Sequence, residues 1–144
     1  MNKKDYINYT EKKAKKSSCV ANCIKAFIIG GIICCIGQGF RDLFISLEVD
    51  EETAGIMEAV VLILLAGLFT GIGWYDKLAK FGGAGALVPI TGFSNAVTAP
   101  AIDARSEGYI TGVASQMFVI AGPVIVYGTV ASIIYGIAYF FITA

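Results

Sequence analysis

The polar side chains that could contact a solute or an ion are concentrated in one stretch of an otherwise apolar chain. Residues 81–107 read FGGAGALVPITGFSNAVTAPAIDARSE. The candidate pathway or solute residues are Gly83, Gly85, Pro89, Thr91, Gly92, Ser94, Asn95, Asp103, Arg105 and Glu107, with Gln38 from an earlier apolar run. Hydroxyl, amide and charged groups beside a broken helix can bind an ion or polar solute, as paired half-helices do in transporters.

The residues that most enzymes use are missing. The sequence contains no histidine, which removes the commonest general base and metal ligand and any Ser-His or Cys-His pair. The four cysteines, Cys19, Cys23, Cys34 and Cys35, match no zinc-binding spacing. We therefore expect no enzymatic activity, no metal site and no cofactor.

The composition is that of a membrane protein. Of the 144 residues, 56% are hydrophobic and 15% charged, whereas soluble domains have about 25% charged residues. No charged residue occurs in 26–40, 59–75 or 108–144. One soluble core of this size could not bury three such runs, so we expect an all-α polytopic membrane protein.

About twenty residues cross the ~30 Å hydrocarbon core of a bilayer, which sets the expected segments. We predict a basic cytoplasmic leader over residues 1–20 and a single integral membrane domain over 21–144, with four to five membrane segments. These are about 23–44, about 56–75, a broken or re-entrant Gly/Pro-rich segment at 83–102, and 108–143, which is either one kinked helix or two short passes turning at 121–123.

The break in the third segment follows from two residues. Pro89 lacks an amide and clashes with the preceding helical turn, and Gly92 adds backbone freedom three residues later. Irregular backbone at membrane depth is tolerated only inside protein or beside a wet cavity. Two interpretations stay open: a broken segment that forms part of a pathway, or a structural kink or interfacial loop.

Small residues four apart mark helix faces that can approach another helix closely. The predicted packing positions are Gly31, Gly39, Gly67, Gly71, Gly128, Ser132 and Gly136.

The distribution of lysines predicts the orientation. Seven lysines lie up to Lys25, the segment from Arg41 to Glu58 is mostly acidic, and Lys77 and Lys80 follow the second apolar run. Because Lys and Arg concentrate on the cytoplasmic side, the N-terminus is expected inside, the acidic loop outside and residues 76–80 inside. The leader is either a solvated tail or contacts anionic lipid head groups or a cytosolic partner.

Four stretches resemble one known family. KAFIIGGIICCIGQG, GGAGALVPITGFSNA, SEGYITGVASQMF and AGPVIVYG are similar to the stage V sporulation protein AC/AE family of spore-forming bacteria, from about Asn22 onward. The basic leader resembles the AC branch. Gly82 and Asp103 stand where the family leads us to expect alanine and glutamate.

The resemblance implies a channel or transporter subunit that moves dipicolinic acid, largely as its calcium chelate, across the inner membrane of the forespore or spore. Uptake in sporulation, release in germination and mechanosensitive behaviour are expected from it. The expected partners are an AE-type membrane subunit and a soluble AD-type subunit, besides the lipid bilayer; no nucleic acid is expected. The alternative is a membrane scaffold that assembles the complex while its partners form the path.

Overall fold

The structure, a computed structural model, describes residues 18–143. Most of the predicted leader lies outside the described residues. Helices make up the described part of the chain, and it contains no strand, so the predicted all-α class is confirmed. Three helices are long and apolar enough to cross a membrane: Cys19–Ser46, Glu51–Ile72 and Tyr109–Thr143.

The first two of these helices, α1 (Cys19–Ser46) and α2 (Glu51–Ile72), form an antiparallel pair. They pack closely near the turn that joins them, where Gly37 is the only buried residue of α1. A Cβ atom added to Gly37 would stand 2.5 Å from Glu58 Oε1 and 3.2 Å from Leu62 Cδ1. The missing side chain therefore lets α2 approach α1.

Capping groups set the ends of α2. Asp50 accepts a hydrogen bond from the Thr53 amide at 3.0 Å, which satisfies a free donor of the first turn. The same bond holds the pKa of the Asp50 carboxyl below its usual range. Gly73, with φ +79°, ends the helix in the left-handed conformation. The cap explains why α2 begins at Glu51 and not near residue 56, where the apolar run begins.

Three short helices and a turn fill the middle of the chain. They are α3 (Trp74–Gly82), α4 (Ala84–Leu87), α5 (Ile90–Asp103) and a 3-10 turn (Ala104–Glu107). α3 is amphipathic and carries the ion pair between Lys80 Nζ and Asp76 Oδ2 at 2.6 Å. α4 packs on α1 and α5 packs on α2, so the predicted broken stretch lies against the first two long helices.

The last helix runs without interruption from a π-helical segment (Tyr109–Ala114) into α6 (Ser115–Thr143), and together they form the C-terminal helix. Of the two alternatives for residues 108–143, the structure has one helix that continues through Pro123. The helix packs against α5, and residues of both helices, among them Thr98 and Met117, line a groove between them. No residue of α6 is buried.

Candidate functional site

The break between α4 and α5 is a tight turn at Val88 and Pro89. Pro89 has extended backbone, with ψ 164°, and its carbonyl oxygen accepts from the Gly92 amide at 2.8 Å. A Cβ atom on Gly92 would lie 2.6 Å from Leu87 Cα and nearer still to the Leu87 carbonyl oxygen. Only glycine fits there, so Pro89 and Gly92 produce the break together, as the sequence indicated.

The short helix α4 meets α1 backbone to backbone. A Cβ atom on Gly85 would lie 2.7 Å from Ala26 Cα, and one on Gly30 would lie 3.5 Å from Gly85 Cα. Ala26 and Gly30 are roughly 10–16 Å along the axis of α1 from its first residue, at 1.5 Å per residue. The break therefore lies beside the interior of an apolar helix and not beside its end.

Tyr75 closes the hydrogen bonding at the break. Its hydroxyl donates to the Ala86 carbonyl oxygen at 2.6 Å and lies 3.0 Å from Thr91 Oγ1. The Thr91 hydroxyl can in turn donate its proton to the Tyr75 oxygen. In an unbroken helix the Ala86 oxygen would accept from the amide of Ile90. Tyr75 thus replaces a backbone donor that the break removes, which an apolar environment requires.

The aromatic pair at the start of α3 divides between two environments. Trp74 is 62% exposed, whereas Tyr75 is 2% exposed. Trp74 therefore faces outward, and Tyr75 lies inside the chain. No local pattern marks Tyr75 as a buried donor, because its partners lie 11 and 16 residues further along the chain.

Two more polar residues of the broken stretch connect α5 to α2. Ser94 Oγ donates to the Ile63 carbonyl oxygen at 2.8 Å. Thr70 Oγ1 lies 2.9 Å from Asn95 Oδ1 and 2.7 Å from the Ala66 carbonyl oxygen. Since a hydroxyl has one proton, it donates to one of these oxygens at a time. These contacts hold the broken stretch against α2.

The remaining pathway candidates lie in other places. Asp103, Arg105 and Glu107 are exposed at the end of α5 and in the turn that follows. Gln38 lies on α1 and donates to Asp42 Oδ1 at 2.7 Å. Gly83, with φ +53°, joins α3 to α4 and lines a groove of about 450 Å³ with Cys19, Cys23 and Lys80 among others. The structure therefore separates the candidates into a group at the break, a group at the end of α5, and Gln38.

The predicted packing positions differ in what they meet. A Cβ atom on Gly67 would stand 3.7 Å from the hydroxyl oxygens of Ser94 and Thr98, so this glycine faces α5. Ser132 is exposed. The positions at which an added Cβ atom would meet no other described residue within 4 Å are Gly31, Gly39, Gly71, Gly128 and Gly136.

Glu58, the last residue of the acidic segment 41–58, is less exposed than its position in a predicted loop indicated. Glu58 is half-buried inside α2, with a carboxylate oxygen against the backbone of Gly37. The helix start at Asp50 and Glu51 is the signal that would have placed Glu58 two turns inside the helix.

Known proteins are similar to the chain over nearly its full length. The family described as SpoVAC/SpoVAEB sporulation membrane protein matches residues 22–138. Stage V sporulation protein AC of Bacillus subtilis (strain 168) is 45% identical over 139 residues, which cover 96% of this chain and 93% of the relative. No solved structure matches. The resemblance of the motifs is thereby confirmed, and the chain belongs to the SpoVAC/SpoVAEB family of sporulation membrane proteins.

Proposed function

We propose that the chain is a membrane subunit of a channel or transporter for dipicolinic acid, carried as its calcium chelate across the inner membrane of the spore. Uptake occurs in sporulation and release in germination. Family membership supports a membrane role in sporulation. The observation that supports transport is the break at Pro89 beside the interior of α1, because irregular backbone at membrane depth is tolerated only inside protein or beside a water-filled cavity.

In this proposal the broken stretch is a fourth membrane segment, made of α4 and α5. Thr91 contacts Tyr75 and Asn95 contacts Thr70, so α5 runs antiparallel to α2 and returns toward the acidic end. The 14 residues of α5 span about 21 Å, less than the ~30 Å core, and α4 supplies part of the remainder. Counted along the chain, the broken stretch is the third of four proposed crossings, and the C-terminal helix is the fourth, in the opposite sense to α5.

The proposed orientation follows the charges. The start of α1 and the lysines of α3 face the spore core, and the turn before α2 faces outward. Because α5 and the C-terminal helix add one pass in each direction, the C-terminus lies on the core side.

A single chain of this size encloses too little space for a chelate, so the path requires further subunits. We propose several copies or an AE-type membrane subunit around the path, with a soluble AD-type subunit at its core side. The chain itself performs no chemistry. Membrane tension is the proposed gating signal.

The scaffold alternative has its own support in the contacts of the broken stretch. Thr91 and Ser94 are each 6% exposed, and both hydroxyls bond to neighbouring helices. Groups engaged in this way stabilise packing and leave little for a solute. In that case the AE-type partner forms the path and this chain positions it.

Flux of dipicolinate from liposomes separates the two candidates, measured for the chain alone and with the AE-type and AD-type subunits. Pro89→Ala restores an amide and lets α4 and α5 join, so flux should fall while insertion continues. Pro123→Ala is the matched control, because Pro123 lies inside an uninterrupted helix. Native flux in the Pro89→Ala chain would favour the scaffold.

Reporter fusions test the orientation independently of flux. A reporter near Glu51 should lie outside the cytoplasm, and reporters near Lys77 and after Thr143 should lie inside. The same side for Glu51 and Lys77 would overturn the crossing of α2.

A further inference from the structure

The groove between α5 and the C-terminal helix opens beside an arginine that makes no ion pair with residues 18–143. Arg41 Nη2 is paired with Glu51 Oε1 at 2.8 Å, whereas Arg105 has no such partner in the described part of the chain. Arg105 follows α5 directly, in the exposed 3-10 turn. No carboxylate of residues 18–143 therefore competes with a bound anion for its guanidinium by forming an ion pair.

The groove has the size and lining for a small aromatic solute. Its volume is about 240 Å³, below the roughly 300–1,000 Å³ of pockets for drug-sized ligands. Its lining is mainly apolar and is formed by Thr98, Ala101, Ile102, Arg105, Tyr109, Val113 and Met117.

We propose that Arg105 and this groove form a binding site for an aromatic dicarboxylate at the outer mouth of the path. The inference rests on the proposed function, which supplies a solute of this class. The planar guanidinium holds a carboxylate through two parallel hydrogen bonds. The ring of the solute packs against Tyr109 and the sulfur of Met117.

The surroundings of Arg105 favour weak binding, which permeation requires. Asp103 and Glu107 stand two residues to either side, so the three side chains together carry one net negative charge, which opposes the binding of an anion at Arg105. A bare dianion is thus held loosely, and the cation of a metal chelate finds carboxylates nearby.

Other places in the fold fit this solute less well. The hydroxyls of Thr91 and Ser94 are engaged with neighbouring helices. The larger groove beside Cys19 has Lys80 as its cationic lining residue, and that ammonium is already paired with Asp76 at 2.6 Å.

Protection of a single cysteine tests the site. Val113→Cys is introduced into a chain whose four native cysteines are replaced, and Met117→Cys serves as a second probe position. Both chains are reconstituted in liposomes and treated with a water-soluble thiol reagent. Dipicolinate, with and without equimolar calcium, should slow the reaction, whereas benzoate and the non-aromatic glutarate should protect much less.

Arginine variants decide whether the protection comes from the proposed contact. Arg105→Gln should raise the dipicolinate concentration for half-protection by about tenfold, because it removes hydrogen bonds to a charged group. Arg105→Lys should retain part of the effect, and Arg41→Gln, whose arginine is paired with Glu51, should leave it unchanged.

Flux on the same liposomes keeps the two proposals distinguishable. Flux without protection, or equal protection in the Arg105→Gln chain, overturns this site and leaves transport standing. Absence of flux with every subunit present, together with absence of protection, overturns both.

Discussion

The broken stretch and the C-terminal helix contain the same kinds of residues but use them differently. Gly85 and Ser94 are pressed against the backbone of another helix. On an equally apolar helix, Gly128 has no neighbour among residues 18–143 within 4 Å of an added Cβ atom, and Ser132 is exposed. A small or hydroxyl residue becomes a contact only where a second backbone comes within reach, and the turn at Pro89 provides that approach.

The small residues of α6, Gly128, Ser132 and Gly136, are therefore not explained by packing among the described residues, whereas those of the broken stretch are. These positions on α6 stay predictions for contacts with lipid or with other subunits. Substitutions made in pairs, one in each region, measure how far the two regions differ.

The largest expected difference comes from Gly85→Leu compared with Gly128→Leu. At position 85 even a Cβ atom meets the Ala26 backbone, and the larger side chain should cost about 3 kcal/mol or more, the upper end for overpacking. We expect the yield of monodisperse protein in detergent to collapse for Gly85→Leu and to stay native for Gly128→Leu. Equal yields would show that α4 does not pack on α1.

Gly67→Leu and Gly71→Leu should differ although they belong to one sequence pattern. Gly67 faces Ser94 and Thr98, and Gly71 faces open space. Leucine at position 67 should separate α2 from α5 at a cost of about 2 kcal/mol, which thermal unfolding in detergent measures. Gly71→Leu should leave Tm unchanged, and any loss it causes should appear only in assembly with a partner. A lower Tm for Gly71→Leu alone would contradict the packing.

Tyr75→Phe should have a smaller effect, with Tyr127→Phe as its control. Removing the phenol oxygen leaves the buried Ala86 carbonyl without its donor, at a cost of about 1–2 kcal/mol. Tyr127 is 76% exposed, so its hydroxyl should contribute nothing to Tm. An equal decrease in Tm for both variants would contradict the role of the Tyr75 hydroxyl as the donor to Ala86.

The smallest difference is expected between Ser94→Ala and Ser132→Ala. Ser94 donates across helices to Ile63, and such bonds contribute about 0.6 kcal/mol on average in membrane proteins. Denaturant titration of each purified chain should resolve a shift for Ser94→Ala and none for Ser132→Ala. A shift of the same size in both would indicate that Ser132 also has a partner within the chain.

The features predicted from the sequence are those that depend on neighbouring residues. The absence of charges in 59–75 predicts α2, and Pro89 with Gly92 predicts the break, because helix geometry is decided within a few residues. The family was recognised from motifs of the same length.

The features missed depend on which helices meet in space. The burial of Tyr75 cannot be predicted from neighbouring residues, because it requires the chain to fold back at the break. Gly67 and Gly71 are equivalent in the pattern, but only one of them faces α5. The helix α2 begins five residues before the predicted membrane segment, because its start is set by the Asp50 cap, which hydropathy does not detect.

The C-terminal helix is longer than a bilayer is thick. Its 35 residues extend about 50 Å at 1.5 Å per residue, against a hydrocarbon core of ~30 Å. A tilt of about 40°, the upper end of the observed range, brings its height to roughly 40 Å. No charged residue from Gly108 onward anchors it at a fixed depth. Since the helix exceeds the thickness of the core even at that tilt and packs along α5, the hydrophobic mismatch acts directly beside the broken stretch.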